Sequence, residues 1–274
     1  MQNIKVNCRL SHTLRTVVCW AVLSCCCIAA GARTYVVVAA VDVMQTLNGY
    51  AVRNAQRAAR FFRQQGAEDI RTFYHTDATR ANIITAMDRV ARMAGPDDAV
   101  YFVYSGHGYA ETTLHNGGVT TADKQGYLGY NEIQILLKNT RAGKKIAFIN
   151  ACYAGGLTRP KKSKTQIRGK RDESDDRTNV MLYLSSKGNE SSYMTRDGFD
   201  FMSCIVDGMA GKADTNGDKK VTARELFNYV NPIIVGKFRV HPQMWGRFDD
   251  DMVVANVRTD KKKKPTTIYR PWFK

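Results

Sequence analysis

Five short apolar runs, alternating with stretches of helical spacing, constrain this 274-residue chain more than any other feature. YVVVAAVD (35–42), DIRTFYHT (69–76), DDAVYFVYSGHG (97–108), KKIAFINAC (144–152) and NVMLYLSS (179–186) each have strand length and are rich in β-branched and aromatic residues. Between them, NGYAVRNAQRAARFFRQQG (48–66), TRANIITAMDRVARMAG (79–95) and NEIQILLKNTRAG (131–143) repeat apolar residues every three or four positions. Thr79 is placed to cap the second of these helices, and Gly66 and Gly95-Pro96 are stops. A strand that is apolar along its whole length must be covered on both faces. The alternation therefore predicts an α/β fold with a mostly parallel central sheet and helices on both faces. At 44% hydrophobic, one large domain of this length can bury a full core.

The first 32 residues differ in kind. Lys5, Arg9 and Arg15 precede the apolar run TVVCWAVLSCCCIAA, and the small residues AGA precede Arg33. This predicts a secretory signal peptide cleaved after about Ala32. A retained N-terminal anchor and a lipoprotein leader modified at Cys25, in VLSC, are the alternatives. All three export the domain, to the periplasm, surface or exterior of a bacterium. Five of the seven cysteines (8, 19, 25, 26 and 27) lie in this leader, so the exported chain keeps only Cys152 and Cys204 and has no disulfide framework. Cys204, in FMSCIVDGM, is expected to be a buried thiol of a helix.

The formal charge of +16 is uneven. The loop TRPKKSKTQIRGKRDESDDRT (158–178) carries eight Lys/Arg against four Asp/Glu, and the tail 258–274 seven against one. The globular remainder is close to balanced. Sequence-specific nucleic-acid binding is therefore not expected, whereas the basic loop and the tail, with KKKK at 261–264, suit an anionic surface partner.

In an open parallel sheet, ligands gather beyond the carboxyl ends of the strands. Two unusual loops begin at such ends: SGHG after the third strand and NACYAGG after the fourth. If those strands are neighbours, His107 and Cys152 face one crevice. A thiol attacks as thiolate, and a nearby histidine takes its proton and returns one to the leaving amine. Glycines beside the pair admit a substrate backbone and main-chain N–H donors.

YFVYSGHG (101–108) and FINACYAGG (148–156), with 45 residues from His107 to Cys152, resemble the histidine and cysteine blocks of the caspase-like clan of cysteine peptidases. The bacterial caspase-like and metacaspase-like proteins are the members it is most similar to. The resemblance covers about residues 35–257: LSSKGNESSY (184–193) matches the strand and substrate loop after the cysteine, and GFDFMSCIVDGMAGKAD (198–214) the next helix. It implies a caspase-like three-layer sandwich over residues 33–257 and a cysteine endopeptidase acting on proteins or peptides. His107 would be the general base and acid, Cys152 the acylated nucleophile, and the N–H groups of Gly108 and Cys152 the oxyanion hole. Asn150 and Glu190 would contact substrate. Metacaspase-like members place an aspartate where this chain has Asn150, so a basic P1 preference does not transfer with the dyad; Glu190 is the candidate for a compensating charge. The resemblance also implies self-processing in the basic loop, after one of Lys161, Lys162, Lys164, Arg168, Lys170 or Arg171. The alternatives are a catalytically silent binding or scaffold protein of the same fold, and a Ca²⁺-dependent surface module.

The last alternative rests on ADTNGDKKVTARELFNYV. Asp214, Asn216, Asp218, the Lys220 carbonyl, Thr222 and Glu225 fall at positions 1, 3, 5, 7, 9 and 12 of an EF-hand-like Ca²⁺ loop (214–225). Position 6 wants glycine and holds Lys219, at a cost of about 1–2 kcal/mol if the left-handed backbone is kept. Without a cation, Thr222 would simply cap the helix TARELFNYV. Further on, DDDMVVANV is expected to form an edge strand, with Trp245 packing nearby. The dyad needs no cofactor for its chemistry, so Ca²⁺ is the one candidate ion.

Overall fold

In the computed structural model, which describes residues 31–42, 49–111, 116–123, 126–158 and 180–258, the first apolar run forms β1 (Thr34–Val41). The leader to residue 30, the basic loop from 159 to 179 and the tail from 259 lie outside the described residues. After β1 come α1 (Tyr50–Gln64), β2 (Asp69–Tyr74), α2 (Arg80–Met93) and β3 (Ala99–Gly106). A short antiparallel excursion, β4 (Gly108–Glu111), β5 (Asn116–Thr120) and β6 (Tyr127–Gly129), leads to α3 (Tyr130–Lys138) and β7 (Lys144–Asn150). The chain continues through β8 (Val180–Leu184), α4 (Phe201–Asp207), a π turn at Gly208–Lys212, β9 (Lys220–Thr222), α5 (Ala223–Phe238), β10 (Gln243–Arg247) and β11 (Val253–Asn256).

The main sheet has six strands in the order β10-β8-β7-β3-β1-β2, all parallel except β10. Its apolar strands are covered on both faces, as continuous hydrophobicity demands. Successive side chains point to opposite faces, so Val36, Val38 and Ala40 join a core with α1, α4 and α5, while Tyr35, Val37 and Ala39 join one with α2 and α3. Removing a Val-sized side chain from water contributes about 1.5–3 kcal/mol, and β1 does so on both sides. Thr79 caps α2 through Oγ1, which accepts from the Asn82 N–H at 3.2 Å.

The sheet edge opposite β2 is β10, which spans the last four residues of HPQMWG and Arg247, and Trp245 packs as a partly buried residue against the α2–α3 core. DDDMVVANV forms β11, which pairs with β9 in a separate two-stranded ribbon where each strand is an edge. The β4–β6 sheet follows no alternating apolar pattern: its strands are three to five residues long and rich in glycine, so nothing periodic marks them.

What positions the chemistry is register. Ser105 of β3 pairs with Asn150 of β7, so His107 and Cys152 each stand two residues beyond a paired position on adjacent parallel strands. Val41 of β1 pairs with Gly106, which sets Asp42 beside His107.

Candidate active site

His107 and Cys152 line one cavity of about 220 Å³ at the carboxyl ends of the strands, together with Ser105, Asn150, Ser192, Tyr193, Met194 and Asp200. A second cavity, of about 200 Å³, lies at the amino ends around Arg33, Tyr101 and Lys144, away from both loops.

His107 is held through both its ring and its main chain. Its Nε2 lies 3.3 Å from Asp42 Oδ1, and the Asp42 side chain is 4% exposed. The His107 main-chain carbonyl lies within reach of the buried Tyr104 hydroxyl (3.0 Å) and accepts from the Thr120 N–H (3.0 Å), which ties the residue to β5. Asp42 was not singled out by the sequence. The signal was an acid closing the apolar run YVVVAAVD, at the crevice end of a strand.

Cys152 sits in a tight turn. Tyr153 has φ 61, a left-handed conformation that a bulky residue adopts only when its surroundings impose it. The Tyr153 N–H donates to the Glu190 carbonyl at 2.8 Å. Ser185 and Ser186, following β8, stitch the turn to the neighbouring loop: Ser185 Oγ accepts from the Ala151 N–H at 3.0 Å, and Ser186 Oγ from the Ala154 N–H at 3.3 Å. The Ser192 N–H points at Cys152 Sγ from 3.3 Å. Sγ also faces the Ser192 carbonyl oxygen at 3.7 Å, so one residue presents both a main-chain donor and a main-chain acceptor to the sulfur. The Cys152 carbonyl accepts from the Tyr130 hydroxyl at 3.2 Å. On its other side a Cβ added to Gly108 would lie 2.2 Å from that oxygen, so only glycine lets the histidine and cysteine loops come this close.

Asn150, 6% exposed, is bonded on all sides: Nδ2 donates to Asp200 Oδ2 at 2.6 Å and to Ser105 Oγ at 3.2 Å, and Oδ1 accepts from Ser192 Oγ at 3.4 Å. Asp200, 1% exposed, also caps α4 by accepting from the Ser203 N–H at 2.8 Å. Burial raises its pKa above the ordinary carboxylate range, against hydrogen bonds from Ser203, Asn54 and Asn150 that favour the ionised form. The aspartate sequence reasoning looked for at position 150 thus has a counterpart 50 residues later, legible only as a helix cap before FMSCIVD.

Glu190 does not line the cavity. Its carboxylate accepts from the His241 N–H (2.9 Å), the His241 ring Nδ1 (2.7 Å) and the Lys187 N–H (3.2 Å). Cys204 is 1% exposed in α4, and burial pushes its thiol up to about 12.

In the 214–225 loop, Lys219 keeps the left-handed backbone with φ 65. The acidic side chains face the loop's own donors: Asp214 accepts from the Gly217 and Lys219 N–H groups, and Glu225 from Thr215 and Thr222. Among the described residues no three His, Cys, Asp or Glu side chains converge as a metal site.

A profile of the caspase-domain family matches residues 32–265 of the chain. Among solved structures, the crystal structure of protein GSU0716 from Geobacter sulfurreducens is similar in fold, with a TM-score of 0.59 at 17% identity, covering 82% of this chain and all of that one. No curated protein sequence matches.

Proposed function

The chain belongs to the caspase-domain family, and from that premise we propose that it is a cysteine-type endopeptidase working through His107 and Cys152. The observation that carries this reading is the register of β3 against β7, which brings both residues to one cavity.

In the proposed reaction, His107 takes the proton of Cys152 Sγ and the thiolate attacks the scissile carbonyl carbon. The N–H groups of Gly108 and Cys152 receive the oxyanion. His107 then protonates the leaving amine, and the C–N bond breaks to leave a thioester on Sγ. Water, deprotonated by His107, attacks that thioester, releases the acid and restores the thiol. Asp42, facing Nε2 at 3.3 Å, orients the ring and leaves Nδ1 for the thiol. The P1 side chain enters the cavity over the Asn150–Asp200 pair, with Tyr193 and Met194 at its side.

The leader supports an exported enzyme, and the charge of the basic loop supports self-processing there. A Cys152→Ala chain that migrates identically to an uncleaved wild type would remove the second point. The reading as a whole is tested with thiol-reactive peptidyl probes. The expected result is selective modification of Cys152 that is lost in His107→Ala; a folded chain unlabelled at every pH would replace the peptidase with a catalytically silent scaffold of the same fold.

A further inference from the structure

Glu190 joins two parts of the molecule that are otherwise distant in the chain. Its main-chain carbonyl holds the Tyr153 N–H, the first peptide after the nucleophile, at 2.8 Å. Its carboxylate holds the segment entering β10, through both the N–H and the ring of His241. An ionised carboxylate only accepts, so the His241 nitrogen facing it, Nδ1, carries the proton. Lys187 also meets this carboxylate, with Nζ 3.7 Å from Glu190 Oε1 and its own N–H on Oε2. Two residues beyond Glu190, the Ser192 N–H reaches Cys152 Sγ. The loop from Lys187 to Ser192 therefore fixes the strained turn at Tyr153 and supplies a donor to the sulfur, and the end of that loop is anchored on His241.

We propose that Glu190 and His241 form a positioning clamp for the nucleophile, holding the Lys187–Ser192 loop so that the Ser192 N–H stays on Cys152 Sγ. This deepens the peptidase reading and rests on it for the consequence in turnover, although the clamp's effect on the sulfur stands without any substrate. Neither residue touches the reacting atoms. Opening the clamp lets the loop retreat, and the sulfur loses the Ser192 N–H at 3.3 Å together with the longer contact to the Ser192 carbonyl at 3.7 Å; the nearer contact, the donor, sets the sign, and attack by the sulfur slows.

The test is the pH profile of Cys152 alkylation by iodoacetamide on the full chain, followed by peptide mapping, for the wild type, Glu190→Ala, His241→Ala and His241→Asn. The expected result is slower alkylation in both alanine variants, with a rate near neutral pH lowered about 5- to 10-fold, the scale of one net hydrogen bond. In H241N the asparagine amide can donate to Glu190 in place of the ring, so this variant recovers most of the loss. The double variant E190A/H241A should be no worse than E190A alone. A profile unchanged in both alanine variants, each with a wild-type melting transition, overturns the clamp. Should E190A fail to fold, H241A against H241N decides by the same criterion. If the alkylation rate falls in the alanine variants but the wild type cleaves no peptide, the clamp stands and the peptidase reading falls; if peptides are cleaved and the rate does not change, the reverse holds.

Discussion

A methyl group on Gly108 has nowhere to go. Its Cβ would lie 2.2 Å from the Cys152 carbonyl oxygen and 3.0 Å from Ala151 Cβ, both main-chain-bound atoms that move only if the cysteine turn moves. Because Gly108 follows His107 directly, the displacement separates His107 from Cys152. We expect Gly108→Ala to lower kcat/KM by about 100-fold, the scale of a misplacement near 1 Å, with a smaller effect on melting temperature; activity within twofold of wild type would mean the two loops yield more easily. Asn150 gives the second prediction at this scale. Asn150→Asp replaces a donor 2.6 Å from Asp200 Oδ2 with a second carboxylate, and like charges so close cannot both ionise. The sign follows from Asp200 in the wild type. Its pKa is raised in the folded chain, so the folded state holds a proton that the unfolded state has released above about pH 4. Stability from this group is complete below that pH and falls as pH rises through the folded value. The second acid extends that fall upward. N150D should unfold at lower urea than wild type by roughly 1–3 kcal/mol at pH 8 and by much less near pH 4. The added charge should also raise cleavage after Arg or Lys relative to other residues; unchanged P1 selectivity would remove Asn150 from the specificity pocket.

At the scale of elements, the helices were legible because their ends are written locally. Thr79 and Thr222 cap α2 and α5 where the sequence places them, and Thr222 forms a reciprocal box in which the Glu225 N–H donates to Thr222 Oγ1 at 3.2 Å and Glu225 Oε2 accepts from the Thr222 N–H at 3.0 Å. Thr222→Ala should therefore cost about 1 kcal/mol, measured by chemical unfolding. Millimolar Ca²⁺ gives the companion measurement: a cation would have to draw Glu225 away from both Thr215 and Thr222, so a stabilisation by Ca²⁺ that is larger in T222A than in wild type would identify the loop as a cation site competing with the cap. The edge strands were not legible in the same way. HPQMWG is bounded by a proline and a glycine and has only one large apolar residue facing the α2–α3 core, Trp245, whereas DDDMVVANV carries the stronger apolar signal. Apolar content says that a segment is covered; which strand it pairs with depends on where the preceding helix, here α5, delivers it.

For the whole molecule, the parallel sheet and its two covered faces followed from apolar runs alone, and the meeting of His107 and Cys152 at one cavity from two glycine-flanked loops at strand ends. Asp42, Ser192 and Asp200 did not, because the local marks that exist, a strand end for Asp42 and a helix cap for Asp200, do not say what they face: they reach the site through β1–β3 register, the loop after β8 and the cap of α4. Glu190 shows the converse. Its position in the loop after β8 was legible, but the direction of its carboxylate was set by His241, 51 residues away. The same architecture gives the two cysteines among the described residues opposite fates. Cys204 projects from α4 into the core beneath one sheet face, where burial removes it from solvent and pushes its thiol up to about 12. Cys152 stands at the strand ends in an open cavity with an N–H on its sulfur. Under native conditions at pH 8, iodoacetamide should modify Cys152 and leave Cys204 intact, as read by peptide mapping of the intact chain. In urea both should react, at rates that converge on that of a free thiol. Because Cys204 is protected only while α4 stays docked, its reaction rate in the native state reports opening of that whole face. Modification of Cys204 in step with Cys152, before any loss of helical signal, would mean that α1, α4 and α5 do not close the core as one unit.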